Sequence, residues 1–569
     1  MVKVKINVNG KDHLVEEGIQ LMSCLNNLGY DIPHLCYLER LDPIAKCRLC
    51  VVEIEGHPNL VTSCSIKTKK GMNVKTNSPR VINSRKTTLQ LLLSNHRLEC
   101  TTCSSNLTCQ LQKYAGDLSI RDLRFPKHIR DVKIDTSSLS IVRDNAKCIL
   151  CGRCYDICQH EQTVGAIGLA NRGFSTLVQS PFNINVADSN CVNCGQCVNS
   201  CPVGALSIKD NTKEVFDVLN SKKKVVIQTA PSVRVALGEE FGLPAGTLVT
   251  GKMVAALKAL GFDEVYDTDF GADLTIVEEA TEFIERLTTN KNLPLITSCC
   301  PAWVEFMEKF YPNDLKYLST CKSPQAMLSS VLKNIHVKNN HISKDDLVVV
   351  DVMPCTAKKF EARRPELKNE TDFVITTVEL ARMIRSAGID FNKLKPIDFD
   401  KPFGESSGAG VIFGRSGGVM EAALRTASDL LTSKNIKQID YEFARGNKLR
   451  KEATLKIAGK EVNICIVQTL GEARKICDEI VAGESKYHFI EVMACYGGCI
   501  GGGGQPRYYN LDILNKRALA IKKEDEGKKI RKSHKNPEII SLYDNYLGKF
   551  GSKDAHKLLH TKFTKRDSL

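Results

Sequence analysis

The chain has 569 residues, enough for three or four domains with separate cores, and its 42% apolar and 25% charged residues are those of ordinary globular protein. The N-terminus lacks an apolar signal core and no run of about 18 apolar residues occurs, so the sequence argues against export and membrane spanning and for a cytoplasmic location. The net charge of +14, with lysines clustered at Lys67, Lys69 and Lys70, at Lys222 to Lys224 and from Lys522 to Lys535, favours an acidic partner, while no nucleic-acid recognition motif accompanies it.

The 24 cysteines are the departure from average composition, and in a reducing compartment clustered thiols are metal ligands before they are disulfides. Residues 1–79 open on alternating Val2, Val4, Ile6 and Val8, followed by Asn9-Gly10, a hairpin signal that predicts a small β-rich domain. Within it Cys36, Cys47, Cys50 and Cys64 are spaced C-x10-C-x2-C-x13-C. Four thiolates suit a [2Fe-2S] cluster, with zinc as the alternative. The spacing resembles the ferredoxin-like domain of respiratory complex I and hydrogenases and departs from the plant ferredoxin pattern. Cys24, in LMSCL, reads as a buried thiol.

Residues 80–125 carry His96, Cys100, Cys103 and Cys109, spaced H-x3-C-x2-C-x5-C. One imidazole and three thiolates form a complete four-ligand set, for zinc or for a cluster. Its position between iron–sulfur signatures, and its resemblance to the histidine-ligated [4Fe-4S] segment of the same families, favour iron. Residues 126–209 contain a repeat. Cys148, Cys151, Cys154 and Cys158 read C-x2-C-x2-C-x3-C, and Cys191, Cys194, Cys197 and Cys201 repeat that spacing 43 residues later. In two-cluster bacterial ferredoxins the fourth cysteine of each run ligates the other cluster. By that resemblance one [4Fe-4S] takes Cys148, Cys151, Cys154 and Cys201, and the other takes Cys191, Cys194, Cys197 and Cys158. Pro202 follows the second run as the motif requires, whereas Gln159 replaces proline after the first.

From residue 210 to 569 apolar runs alternate with helical patterns. KVVIQTAPS, LPLITSCCPAW, LVVVDVMPC and FIEVMACYGGC each read as a short buried strand ending in a loop, which predicts α/β architecture. Ligand sites in open α/β sheets lie beyond the carboxyl ends of strands, so Cys299, Cys300, Cys355, Cys495 and Cys499 are expected to converge on one crevice. Six of the eight residues from Gly497 to Gly504 are glycine, as if the backbone were kept thin beside a bulky inorganic ligand. Between the strands, DLTIVEEATEFIERL reads as an amphipathic helix whose Glu279, Glu282 and Arg286 share a face that is ordinarily solvated. Cys321, Cys465 and Cys477 read as buried thiols.

TSCCPAW (297–303), MPCTAKKFE (353–361) and EVMACYGGCIGGGGQP (491–506) resemble, in order and separation, the three signature motifs of the [FeFe]-hydrogenases, and the preceding 209 residues resemble the accessory iron–sulfur modules of the monomeric clostridial type. The resemblance implies a multidomain α/β and α+β protein. Its parts would be a β-rich ferredoxin-like domain, a small His/Cys cluster domain, a two-cluster ferredoxin-like domain and a large two-lobed α/β catalytic domain. It also implies an H-cluster whose [4Fe-4S] part is held by Cys300, Cys355, Cys495 and Cys499, with Cys499 bridging to a diiron subsite bearing CO, CN and azadithiolate ligands. Three accessory [4Fe-4S] clusters and one [2Fe-2S] would complete the set. Cys299 would exchange protons with the bridging amine, and Glu279, Ser319, Glu282 and Arg286 would form the route to the surface, which displaces the solvated-face reading. Lys358 would meet a cyanide ligand, and Pro231, Ser232, Pro324, Gln325, Met353, Phe413, Gly414, Gly418 and Met493 would surround the diiron subsite.

The implied reaction is reversible reduction of protons to dihydrogen with electrons from reduced ferredoxin or a similar acidic carrier, by a monomer that depends on maturation proteins for its diiron subsite. A hydrogen-sensing or cluster-assembly relative would alter Cys299 or the third motif, and an electron-transfer subunit like that of complex I would not need residues 291–506. A nucleotide-coupled, multi-subunit hydrogenase is the narrower alternative, set aside here because the chain shows no convincing nucleotide motif.

Overall fold

The computed structural model describes residues 2–507 and 510–568. Two compact units result, one made of Met1–Glu161, Gly165–Asp188 and Ser200–Ser207, the other of Gln162–Val164, Ser189–Asn199 and Ile208–Leu569.

In the first unit β1 (Lys3–Val8) and β2 (Lys11–Glu16) pair antiparallel with Val8 opposite Lys11. Asn9 and Gly10 both take positive φ, 50° and 84°, the conformation a two-residue hairpin needs and the reason an Asn-Gly pair stands there. Val4, Ile6 and Val8 face inward at every second position. With β3 (Val51–Ile54), β4 (Val61–Thr62) and β5 (Asn73–Lys75) they complete a five-stranded sheet of order β2-β1-β5-β3-β4. Helix α1 (Pro79–Ser94) starts on the Ser78 hydroxyl, which accepts from the Val81 amide, with proline at its first position. From this helix the buried Arg85 donates to the carbonyls of Leu49 at 3.0 Å and Val51 at 2.8 Å, pinning the turn that carries Cys47 and Cys50. Helix α2 (Gln110–Asp117) follows Cys109.

The second unit contains two four-stranded sheets. The first, of order β7-β6-β9-β10, is wholly parallel and built from β6 (Lys224–Thr229), β7 (Glu264–Asp267), β9 (Leu347–Met353) and β10 (Phe373–Thr376). The second, of order β8-β13-β12-β11, comprises β8 (Leu295–Ile296), β11 (Arg450–Ile457), β12 (Lys460–Gln468) and β13 (Phe489–Met493), with only the β11–β12 hairpin antiparallel. Every residue of β9 and β13 is buried, which explains why these segments read as continuous apolar runs rather than alternating ones. The mixed sheets and flanking helices are the α/β architecture expected from the apolar runs.

Helix α3 (Thr268–Thr289) is capped by the Asp267 carboxylate at its start and ends at Asn290 in the left-handed region. Most of its residues are buried, Glu278 and Glu279 included, so its acidic face is an interior one. After α3 come α4 (Pro301–Phe310), α5 (Ala357–Glu361), α6 (Gly418–Thr432) and, near the C-terminus, α7 (Lys553–Leu559). Among the described residues no helix is long and apolar enough to cross a membrane.

Candidate active site

Cys36, Cys47, Cys50 and Cys64 are all buried. The thiols of Cys36 and Cys47 lie in hydrogen-bonding contact, as do those of Cys50 and Cys64, and the first contact holds Cys47 below its ordinary value while raising Cys36. Nearby, His96 is buried and its Nδ1 has no hydrogen-bond partner among the described residues. Burial lowers this imidazole to about 4, so it is neutral and offers a lone pair, the form a metal requires. Cys103 and Cys109 are half-buried and Cys100 is exposed. Cys148, Cys151, Cys154 and Cys201 line one cavity, so the first run of the repeat meets the last cysteine of the second. Cys158 belongs to the first unit, and Cys191, Cys194 and Cys197 to the second.

In the second unit, loops leaving β6, β8, β9 and β13 enclose a cavity of about 690 Å³ including its mouth. Cys299, Cys300, Cys355, Cys495 and Cys499 line it together with Pro231, Ser232, Pro324, Gln325, Met353, Lys358, Phe413 and Met493. Two loops come from each sheet, so the crevice lies where the two lobes present their strand ends. Gly414 and Gly418 stand outside it. A Cβ on Gly414 would meet Ile521 at 3.0 Å, and one on Gly418 would strike the Ile412 carbonyl, so close packing explains both. Among the lining residues, Thr268 was not anticipated from sequence; its hydroxyl donates to Gln228 at 2.9 Å.

The thiols fit an iron cluster by their chemistry. Burial pushes Cys355 up to about 12 and raises Cys300, Cys495 and Cys499, while the neighbouring cysteine charges raise Cys355, Cys495 and Cys499 further. Four thiolates can therefore coexist in this dry space only around cationic charge, which iron supplies. The backbone is already arranged for anionic sulfur. Cys300 precedes α4 and accepts from the amides of Ala494, Trp303 and Ala302, and Cys355 accepts from those of Lys358 and Ala357. Lys358 remains charged: burial opposes this, but Glu361 at 2.6 Å raises it, and its ammonium also donates to Ser323 at 2.7 Å.

Gly498 and Gly502 line the cavity. An added Cβ at Gly498 would lie 2.4 Å from the Ser416 nitrogen, at Gly502 2.2 Å from the Pro354 oxygen, and at Gly503 2.8 Å from the Cys194 oxygen. The bare loop thus admits neighbouring backbone as well as bordering the cavity. Gln196 and Asn199 fasten the same loop, donating to Gly501 at 3.0 Å and Gly502 at 2.8 Å, and Thr356 donates to the Asn193 carbonyl at 2.7 Å. The segment bearing Cys191, Cys194 and Cys197 is thus packed directly on the loops bearing Cys355 and Cys499.

A row of polar groups leads away from Cys299. Burial and the Glu279 charge raise its thiol well above its ordinary value. Glu279 is fully buried, and burial lifts its carboxyl to about 8; the Ser319 hydroxyl, which donates to Glu282 at 3.2 Å, pulls the other way. Glu282 accepts at 2.5 Å from Arg286, whose guanidinium also donates to the carbonyls of Asn292, Lys316, Tyr317 and Leu318. So tethered, Arg286 orients Glu282; a guanidinium does not give up its proton in this range. The sequence reading did not anticipate Thr320 and His560. The Thr320 amide and hydroxyl both donate to Glu282, at 3.0 and 3.1 Å, and the hydroxyl lies 2.7 Å from His560 Nδ1. No local spacing announces a contact across 240 residues.

Comparison with known proteins agrees with this geometry. Residues 223–503 match the iron only hydrogenase large subunit, C-terminal domain, and 511–566 the iron hydrogenase small subunit. Residues 2–79 match a 2Fe-2S iron-sulfur cluster binding domain, 85–124 the NADH-ubiquinone oxidoreductase-G iron-sulfur binding region, and 147–215 a 4Fe-4S dicluster domain. The NADP-reducing hydrogenase subunit HndD of Solidesulfovibrio fructosivorans is 47% identical over the full length of both chains. Iron hydrogenase 1 of Clostridium pasteurianum is 39% identical over 98% of this chain and 100% of its own. A solved [FeFe]-hydrogenase from Chlamydomonas reinhardtii superposes with a TM-score of 0.57 at 38% identity, covering 63% of this chain and 100% of that one. The matched hydrogenase domains and the two relatives aligned over essentially the whole chain agree with a cysteine-lined cavity in the second unit, and the chain belongs to the iron-only hydrogenases.

Proposed function

We propose that the chain interconverts protons and electrons with dihydrogen at an H-cluster held by Cys300, Cys355, Cys495 and Cys499. The convergence of these four thiols in one apolar cavity carries the reading. When bound, the cluster and its diiron subsite supply the redox chemistry; the protein supplies position, a dry pocket and proton access. Cys499 would also tie the diiron subsite to the protein, and Lys358, charged and facing the cavity, would offer its ammonium to an anionic ligand there. Pro231, Ser232, Pro324, Gln325, Met353, Phe413 and Met493 limit water around it. Protons travel between Cys299 and solvent by way of Glu279, Ser319 and Glu282, with Arg286 as a positioning residue. Infrared spectra of the anaerobically matured protein test the assignment: metal-bound CO and CN bands are expected, and their absence after full maturation would overturn it.

One [2Fe-2S] and three [4Fe-4S] clusters would be held by Cys36, Cys47, Cys50 and Cys64, by His96, Cys100, Cys103 and Cys109, and by the two runs between Cys148 and Cys201, and would supply the route for electrons. The donor is an acidic carrier such as ferredoxin, favoured by the charge of +14. A second reading rests on the 47% identity to a subunit of an NADP-reducing hydrogenase, in which this chain would pass electrons to nicotinamide through partner subunits. The two are separated by assaying the purified chain alone. Ferredoxin-linked turnover that falls as ionic strength rises supports direct docking. Turnover only after partner subunits are added, with NADP as acceptor, supports the second.

A further inference from the structure

His560 sits between two groups. On the inner side its Nδ1 meets Thr320, which in turn donates to Glu282. On the outer side its Nε2 lies 2.9 Å from Glu278 Oε2, and its ring stacks on that of His556 with centroids 3.8 Å apart. Ligand atoms of Glu278, His556 and His560 all lie within 4.8 Å of one another. The other oxygen of Glu278 is already engaged by the Tyr543 hydroxyl and by the Gly551 amide at 3.0 Å, which fixes Oε2 toward the two imidazoles. Glu278 is buried, His560 nearly so, and His556 is exposed, so the triad is open on one side only.

We propose that Glu278, His556 and His560 form a site for a divalent transition-metal ion of the zinc class, and that filling it slows proton transfer through Glu282. Two imidazoles and one carboxylate, with a solvent position free, match the donor preferences of Zn²⁺, and the exposed His556 ring need only turn out of its stack on His560 for ligand atoms already within 4.8 Å to converge on one ion. A metal on Nε2 fixes the proton of His560 on Nδ1, where it donates to Thr320 Oγ1. The Thr320 hydroxyl proton is then committed to Glu282 at 3.1 Å, so the Thr320–His560 pair can no longer turn to hand a proton to that carboxylate or take one from it. The inhibition, though not the binding, rests on the proton route proposed above.

The test uses cluster-loaded holoenzyme, so that no vacant cluster thiol competes, with Zn²⁺ alone as probe in equilibrium dialysis. One zinc per chain is expected. His556→Ala, at an exposed position, should weaken it by at least the about tenfold to hundredfold that losing an outer hydrogen bond to a metal ligand costs. Hydrogen evolution by the wild type should fall in step with occupancy and recover with a chelator, whereas His556→Ala without zinc should turn over like wild type. Undiminished zinc binding by His556→Ala overturns the site, as does loss of binding in Cys321→Ser, which would place the ion on the inner group of Glu282, Cys321 and His560. Zinc that binds without slowing a wild-type enzyme still sensitive to Glu279→Gln overturns the inhibition alone; if Glu279→Gln is also silent, it is the proton route that fails.

Discussion

Replacing Cys299 by serine will leave the cluster assembled and nearly stop the chemistry: iron content and the CO and CN infrared bands should match wild type, while turnover falls by about 10² to 10³, within the range for losing a positioned proton donor. The division follows from the geometry. Cys300 is ringed by the amides of Ala494, Trp303 and Ala302, which stabilise anionic sulfur, whereas burial first, and then the surrounding negative groups, raise the adjacent Cys299 thiol well above its ordinary value. A thiol so placed holds its proton until a stronger base is formed beside it, then ionises at a cost a hydroxyl cannot match. Serine preserves size and hydrogen bonding and removes only acidity. Loss of the infrared bands in the variant would mean that Cys299 serves assembly; unchanged turnover would reject its role in proton transfer.

The sequence made the architecture legible where side-chain chemistry and chain order coincide. Asn9-Gly10 specified its own hairpin, and KVVIQT, LVVVDVM and FIEVM announced strands buried on both faces, whose trailing loops must carry the site. The cysteine spacing picked out thiols that the structure gathers, Cys148, Cys151, Cys154 and Cys201 around one cavity and Cys300, Cys355, Cys495 and Cys499 around another. Three things were hidden. The interior character of Glu278 and Glu279 depends on what packs against α3, and the periodicity of an amphipathic helix is the same whether its polar face meets water or a buried network. The glycine loop showed the opposite problem: its composition was plain, but the clashes at Gly498, Gly502 and Gly503 come from Ser416, Pro354 and Cys194, residues distant in sequence, so composition alone could not say what the glycines make room for. Thr320 and His560 escaped for the same reason, since their pairing joins the segment after α4 to the residue that follows helix α7.

Glu279→Gln carries the second large effect, and it has two readouts with opposite signs. Burial raises this carboxyl from 4.5 to about 8, so at neutral pH it is protonated and its proton affinity lies close to the working range, as a relay requires. Glutamine keeps the shape and the neutral charge but neither accepts nor releases a proton, so turnover should fall by about 10² or more. In wild type the evolution rate should itself decline above about pH 8, where Glu279 ionises and no longer donates, and the variant should lack that limb. Stability moves the other way. Below pH 4.5 Glu279 is protonated folded or unfolded; as pH rises the unfolded state ionises first, so the folded state loses stability until the folded carboxyl ionises near 8. The span amounts to about 5 kcal/mol at 1.36 kcal/mol per unit. Thermal melts of the cluster-loaded protein at pH 5 and pH 8 should therefore draw apart less for Glu279→Gln than for wild type. A variant that melts with the wild-type pH dependence would show that Glu279 is ionised in the folded protein, and a relay that needs it protonated would fail with it.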